Sequence, residues 1–292
     1  MHNQNIHSIT IVGAGTMGNG IAHACAMAGF PVKLMDSSEE QLRIAFQTIE
    51  KNLTRMAEKQ KIKPIEVGSS LARIQTYTDI KQAISDADMV LEVVPEQLSL
   101  KKQIWSQIEQ GIDPKRLKQT IFATNTSSIS ISELAEGITH PENMIGMHFF
   151  NPVPVMSLVE IILGNKTSEQ TFKTVESLTR ELGKTPIRVL DFPGFVSNRI
   201  LMPMINEAIY ALHEGVAEKE AIDQVMTLGV AHPMGPLRLA DFIGLDVCLN
   251  IMNVLHKGFQ DDKYTPCPLL REMVDKGHLG NKTGQGFYIS EV

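Results

Sequence analysis

Apolar positions along the chain fall into two alternating kinds of run. Short β-branched stretches at 8–12 (SITIV), 32–36 (VKLMD), 74–77, 89–94 and 121–124 read as strands. Between them lie stretches with helical spacing. One runs over 17–28 and stops at Gly29; another, 39–63, is long, charged and free of internal Pro or Gly; a third covers 97–110. Strand, glycine turn, helix and strand within about 30 residues make a βαβ unit. Continued alternation predicts an α/β fold, a Rossmann-type doubly wound parallel sheet.

Two further apolar runs, 144–149 and 157–162, are joined by a linker containing Asn151-Pro-Val-Pro-Val155. That link is too short for a helical crossover, so these strands are expected to be antiparallel neighbours. A last strand is expected at 185–190. After Pro193-Gly194 the pattern turns helical throughout, over 195–214, 218–228, 237–258 and 268–276. The chain is therefore expected to divide near 190, into an α/β domain (1–190) and an all-α C-terminal domain (191–292).

The first glycine turn changes the picture from fold to ligand. Gly13, Gly15 and Gly18 form GxGxxG, filled by Ala14, Thr16 and Met17, directly after a strand and at the start of a helix. Gly13 allows the tight turn, and Gly15 lets backbone approach a pyrophosphate at a helix N-terminus, where N–H groups and the dipole favour anions. Gly18 lets helix and strand pack closely. Asp36 ends the second strand, where a carboxylate accepts hydrogen bonds from ribose hydroxyls and repels a 2′-phosphate. The expected cofactor is NAD rather than NADP.

Composition narrows the rest. Of 292 residues, 43% are hydrophobic and 21% charged, which fits a folded globular chain. Asp and Glu outnumber Lys and Arg by 33 to 27, for a net charge of −6, which argues against a nucleic-acid partner read through a broad basic face. The N-terminal segment 1–8 has no secretory pattern, and no apolar run reaches the roughly 20 residues that span a bilayer, so no membrane partner is expected. Cys25, Cys248 and Cys267 lie far apart without CxxC spacing. A reducing cytoplasm is the expected location. The histidines form no HExxH or comparable cluster, so no metal is expected.

Longer motifs carry a family resemblance. The segments at 146–160 (GMHFFNPVPVMSLVE), 125–128 (NTSS), 193–199 (PGFVSNR), 233–246 (PMGPLRLADFIGLD) and 282–288 (KTGQGFY) resemble the L-3-hydroxyacyl-CoA dehydrogenase family over nearly the whole chain. The resemblance implies that His148 is the catalytic base and Glu160 its orienting carboxylate. It implies that Ser127 and Asn198 contact the substrate oxygen or support that pair. Asn151 would lie on the nicotinamide side. Glu96, Lys101, Ser127 and Lys282 match cofactor-contacting positions. Lys59 matches a CoA-contacting lysine, and Ser127 also falls at a CoA-substrate position. Asn52 stands where some relatives carry a CoA-contacting serine. An acyl-CoA substrate and a homodimer formed through the helical C-terminal domain are further implications.

The residues speak to this reading on their own terms. Oxidising a secondary alcohol requires a base for the hydroxyl proton, and neutral imidazole suits that task. His148 ends a predicted strand and Glu160 lies in the expected antiparallel return, which can bring the two together. Taken alone, a histidine in an apolar run is more often a satisfied core side chain. The 39–63 helix carries Lys51, Arg55, Lys59, Lys61 and Lys63 toward its end, the first three spaced i, i+4, i+8. This stripe can receive the phosphates of CoA, or be an ordinary solvated face that complements the helix dipole. A dehydrogenase of a free hydroxy or sugar acid, and an NAD-binding protein without turnover, remain the competing readings.

Overall fold

The computed structural model describes residues 6–289. Residues 1–5 of the segment read as lacking a secretory pattern lie outside the described part. The chain separates into two compact units, Met1–Asp191 and Phe192–Val292.

The first unit is an eight-stranded sheet. Its elements run β1 (Ile9–Val12), α1 (Thr16–Met27), β2 (Val32–Met35), α2 (Glu39–Glu58), α3 (Pro64–Leu71), β3 (Ile74–Tyr77), α4 (Ile80–Ile84), β4 (Met89–Glu92), α5 (Leu98–Gly111), α6 (Pro114–Leu117), β5 (Ile121–Thr124), α7 (Ile131–Leu134), β6 (Met144–Phe149), β7 (Leu158–Leu163), α8 (Glu169–Glu181) and β8 (Thr185–Leu190). The strand order is β3-β2-β1-β4-β5-β6-β7-β8. Strands β1 to β6 are parallel, and the order reverses between β1 and β4, where open α/β sheets place ligands. Every residue of β1, β4 and β5 is buried, as expected of parallel strands covered on both faces. Edge strand β3 is buried only at Ile74.

Strand β7 returns antiparallel to β6. Helix α8, which the apolar runs do not single out, then carries the chain across so that β8 pairs parallel to β7. Ser168 caps its N-terminus at Thr171 N–H, and Phe172, Val175 and Leu178 bury one face.

Two helices differ from the sequence reading. The expected 39–63 helix ends at Glu58. Gln60 adopts a left-handed φ of 54°, and the N–H groups of Gln60 and Lys61 close back on the carbonyls of Ala57 and Met56 at 2.9 Å each. Glycine usually takes that position, so a Gln leaves no signal. Helix α3 then begins at Pro64, with Lys63 N–H donating to Glu66 at 2.6 Å.

The second unit contains α9 (Ser197–His213), α10 (Lys219–Gln224) with a π-helical extension at Val225–Gly229, α11 (Pro236–Ile243), α12 (Leu245–Phe259) and α13 (Pro268–Asp275). The expected single helix over 237–258 is two, bent by 98° at Gly244, whose φ of 103° ends the first helix. The two helices pack into the core of this unit, with Leu237, Ala240, Cys248 and Leu255 fully buried. No single helix among the described residues is long and apolar enough to cross a membrane.

Helix α1 buries His23, with Nε2 3.0 Å from Met27 Sδ and Nδ1 without a partner. Burial, helped by the nearby Lys184 charge, pushes its pKa down to about 4. The folded state therefore keeps His23 neutral while the unfolded chain takes up a proton below about pH 6.5, so stability falls with acid until the folded value is reached. His23→Phe should remove this sensitivity, which amounts to about 3 kcal/mol between about pH 7 and about pH 4. Urea unfolding at several pH values checks it; equal acid slopes in both proteins would contradict it.

Candidate active site

Most of the residues expected to carry chemistry in the first unit collect where the parallel strands end. The glycine turn follows β1, Asp36 follows β2, Glu96 follows β4, Ser127 follows β5 and His148 stands near the end of β6. This is the carboxyl edge of the sheet.

At the switch point the three glycines are used differently. A Cβ at Gly13 would stand 2.7 Å from the Val93 carbonyl oxygen, and one at Gly18 would collide with the Gly13 carbonyl. A Cβ at Gly15 would meet nothing within 4 Å, so the space in front of the α1 N-terminus is open. That terminus has neither a side-chain cap nor an acidic residue in its first turn, which leaves its N–H groups to an anion. Thr16 is exposed and Met17 half-buried beside it. Asp36 does more than the sequence indicates. Its carboxylate accepts Ala14 N–H at 2.9 Å and Ser38 N–H at 3.0 Å, tying β2 to the turn. Gln41 of α2 donates to the Ala14 carbonyl at 2.9 Å. These features fit the pyrophosphate and ribose of a dinucleotide.

Beneath the next two loops lies a stack of charges. Lys101, 1% exposed, pairs with Glu92 Oε1 at 2.7 Å and Glu96 Oε2 at 3.4 Å, and donates to the Val94 carbonyl at 3.1 Å. Glu92 also accepts the Thr124 hydroxyl at 2.7 Å. Glu96 Oε1 accepts the hydroxyl of Thr126, the N–H of Ser127, and both N–H and hydroxyl of Ser128, at 2.6–2.9 Å. Burial alone would raise the Glu96 pKa, but Lys101 and these hydrogen bonds outweigh it and hold the carboxyl below its usual range. Thus Glu96 anchors the loop bearing Ser127, and Lys101 holds Glu96. Glu92 escaped the sequence reading; its only signal was an acid inside the otherwise apolar run 89–94.

His148 and Glu160 lie directly opposite each other in the β6–β7 ladder. His148 Nδ1 is 2.8 Å from Glu160 Oε2, and both side chains are buried. A carboxylate at Nδ1 favours the tautomer with its proton there and leaves the lone pair on Nε2. The Phe150 ring packs on the imidazole at 4.6 Å between centroids. Asn125, in the same NTSS segment as Ser127, accepts Phe149 N–H at 2.9 Å and ties the end of β6 to the end of β5. Ser127 is half-buried; Asn151 is exposed on the loop that follows.

The remaining expected residues lie elsewhere. Asn52 is half-buried within α2, and Lys59 is its exposed C-terminal cap residue. With Arg55 they share one face. Lys51 and Arg55 in α2 and Lys59 at its cap keep the expected i, i+4, i+8 spacing, while Lys61 and Lys63 lie beyond the helix in the turn to α3. Asn198, buried in the first turn of α9, and Lys282, ion-paired with Asp246, belong to the second unit. Among the described residues no group of three or more His, Cys, Asp or Glu side chains is gathered to hold a metal ion.

Known proteins are similar to this chain over nearly its whole length. Residues 8–192 match the model of the 3-hydroxyacyl-CoA dehydrogenase NAD binding domain, and 194–290 that of the 3-hydroxyacyl-CoA dehydrogenase C-terminal domain. A probable 3-hydroxybutyryl-CoA dehydrogenase of Bacillus subtilis is 51% identical, over 97% of each chain. A 3-hydroxybutyryl-CoA dehydrogenase of Bradyrhizobium diazoefficiens is 48% identical over 97% of this chain and 95% of its own. The crystal structure of (S)-3-hydroxybutyryl-CoA dehydrogenase from Ralstonia eutropha superposes with a TM-score of 0.94 at 48% identity, covering 99% of this chain and all of that one. With both domain models matched in order, and the glycine turn and Asp36 fitting NAD, this chain belongs to the 3-hydroxyacyl-CoA dehydrogenase family of NAD-dependent oxidoreductases.

Proposed function

We propose that the protein oxidises the 3-hydroxyl of (S)-3-hydroxyacyl-CoA thioesters, 3-hydroxybutyryl-CoA in particular, with His148 as general base and Glu160 as its orienting carboxylate. The buried 2.8 Å pair between His148 Nδ1 and Glu160 Oε2 carries this reading. Bound NAD supplies the hydride acceptor. His148 Nε2 takes the hydroxyl proton, and Glu160 stabilises the imidazolium that results. In the reverse direction the imidazolium returns that proton to the developing alkoxide. Ser127 and Asn198 hydrogen-bond the reacting oxygen. The glycine turn (Gly13–Gly18), Asp36, Glu96, Asn151 and Lys282 hold the dinucleotide, with Lys101 acting through Glu96.

Loss of NADH absorbance with acetoacetyl-CoA tests the reaction. Thioester-dependent turnover is expected; no turnover, or faster turnover with a free oxo acid, would reject it.

Asn52, Arg55 and Lys59 receive the nucleotide end of CoA. Lys59→Glu should raise the KM for acetoacetyl-CoA about three- to tenfold at low salt and leave that for a truncated pantetheine thioester nearly unchanged. Equal effects on both substrates would remove Lys59 from CoA binding. The second unit carries the dimer interface: Ile200, Val225, Leu228 and Phe242 are exposed apolar side chains on it. Light scattering at the mass of two chains is the expected result, and a monomer would refute it. A cytoplasmic location suits its three buried thiols.

A further inference from the structure

A buried ammonium stands under the loop that joins the two strands of the His–Glu pair. Lys184 lies between α8 and β8 and is 9% exposed. Its Nζ donates to the Val153 carbonyl at 2.6 Å and the Met156 carbonyl at 2.8 Å. Its partners are therefore two backbone carbonyls of one loop rather than a carboxylate. Burying a charge without an opposite charge is costly, and the side chain gives up much of its rotamer freedom as well. Burial accordingly lowers its pKa from the usual lysine value.

The loop so held begins just after β6, with Phe150 and Asn151, and re-enters the sheet at Leu158, two residues before Glu160. Inside it, the N–H groups of Val155 and Met156 both donate to the Pro152 carbonyl, at 2.9 and 3.0 Å. Thr185 N–H adds a bond to the Ser157 carbonyl at 2.7 Å. Val153 is 2% exposed and packs on α1 so closely that a Cβ at Gly20 would stand 3.0 Å from it. The loop is thus packed on the helix that starts at the glycine turn and tied by two carbonyls to the Lys184 ammonium, which lies near the same helix.

We propose that Lys184 is a positioning residue. By holding the Val153 and Met156 carbonyls it presses the 150–157 loop against α1 and fixes where Asn151 meets the nicotinamide end of NAD relative to His148. The proposal rests on the reading of Asn151 as a cofactor contact. Lys184 touches neither cofactor nor substrate and acts through the loop alone.

Lys184→Met, close in length but without donors or charge, tests it on the full chain. Hydrogen exchange should show the Val155 and Met156 amides opening about tenfold faster, with α1 and β6 unchanged. The NADH dissociation constant, read by nucleotide fluorescence, should rise about fivefold and kcat fall about tenfold, while the KM for acetoacetyl-CoA stays within about twofold. Lys184→Gln should give the same split. Unchanged loop protection and NADH affinity would overturn the proposal. So would a uniform loss of protection, or failure of both variants to fold, which would make Lys184 a purely structural residue. Exchange and NADH binding are read without substrate. A wild-type protein inert toward acetoacetyl-CoA would therefore sink the proposed reaction and leave this test standing.

Discussion

His148→Gln is expected to lower turnover with acetoacetyl-CoA by about 10³-fold while NADH affinity stays within about twofold. Glutamine keeps a polar side chain of similar reach but cannot take up or return a proton. The substitution leaves Glu160 buried at 2% exposure and without its Nδ1 partner, which adds a stability cost. Thermal unfolding beside the kinetics separates the two effects. Loss of turnover in a variant that melts and binds NADH nearly as the wild type does places His148 in the proton transfer. Turnover within about tenfold of wild type would remove it from the mechanism.

The second large effect is at Asp36. Asp36→Ala should weaken NADH binding by about tenfold to a hundredfold, since a charge-assisted hydrogen bond is worth about 1.5–3 kcal/mol. The structure adds a reason beyond the ribose. The same carboxylate accepts Ala14 N–H and Ser38 N–H, so its loss also loosens the glycine turn. Asp36→Asn keeps an acceptor for the turn while removing the charge. It should lose less affinity for NADH than the alanine variant and gain relative affinity for NADPH, because repulsion of the 2′-phosphate is gone. Isothermal titration of both nucleotides against both variants is the check. Unchanged NADH affinity in Asp36→Ala would cancel the assignment.

The sheet was largely legible because its signals are local. The strand before GxGxxG, the helix after it and Asp36 beyond lie within one βαβ unit, and each follows from spacing and residue type. The antiparallel return of β7 followed from linker length alone, and it implied that His148 and Glu160 could meet. Helix ends were harder to read. Gln60 takes a left-handed conformation that its identity does not announce, so α2 ran too long on paper. Gly244 could be read as a tolerated helix glycine until its φ of 103° was seen to part α11 from α12.

The sequence by itself determined the order of the elements, the parallel sheet, the dinucleotide turn and the residues that resemble a hydroxyacyl-CoA dehydrogenase. Periodicity, glycine and proline placement and motif spacing all act over a few residues, and a linear reading captures them. Only the tertiary structure decided which buried polar groups satisfy one another. Lys101 meets Glu92 and Glu96, Glu96 gathers Thr126 to Ser128, Asn125 holds Phe149, and Lys184 holds the loop from Val153 to Met156. Most of these pairs are 24 to 32 residues apart and come together only when the sheet closes. A buried charge must then find its partner wherever the packed chain supplies one, and no local pattern records where that is.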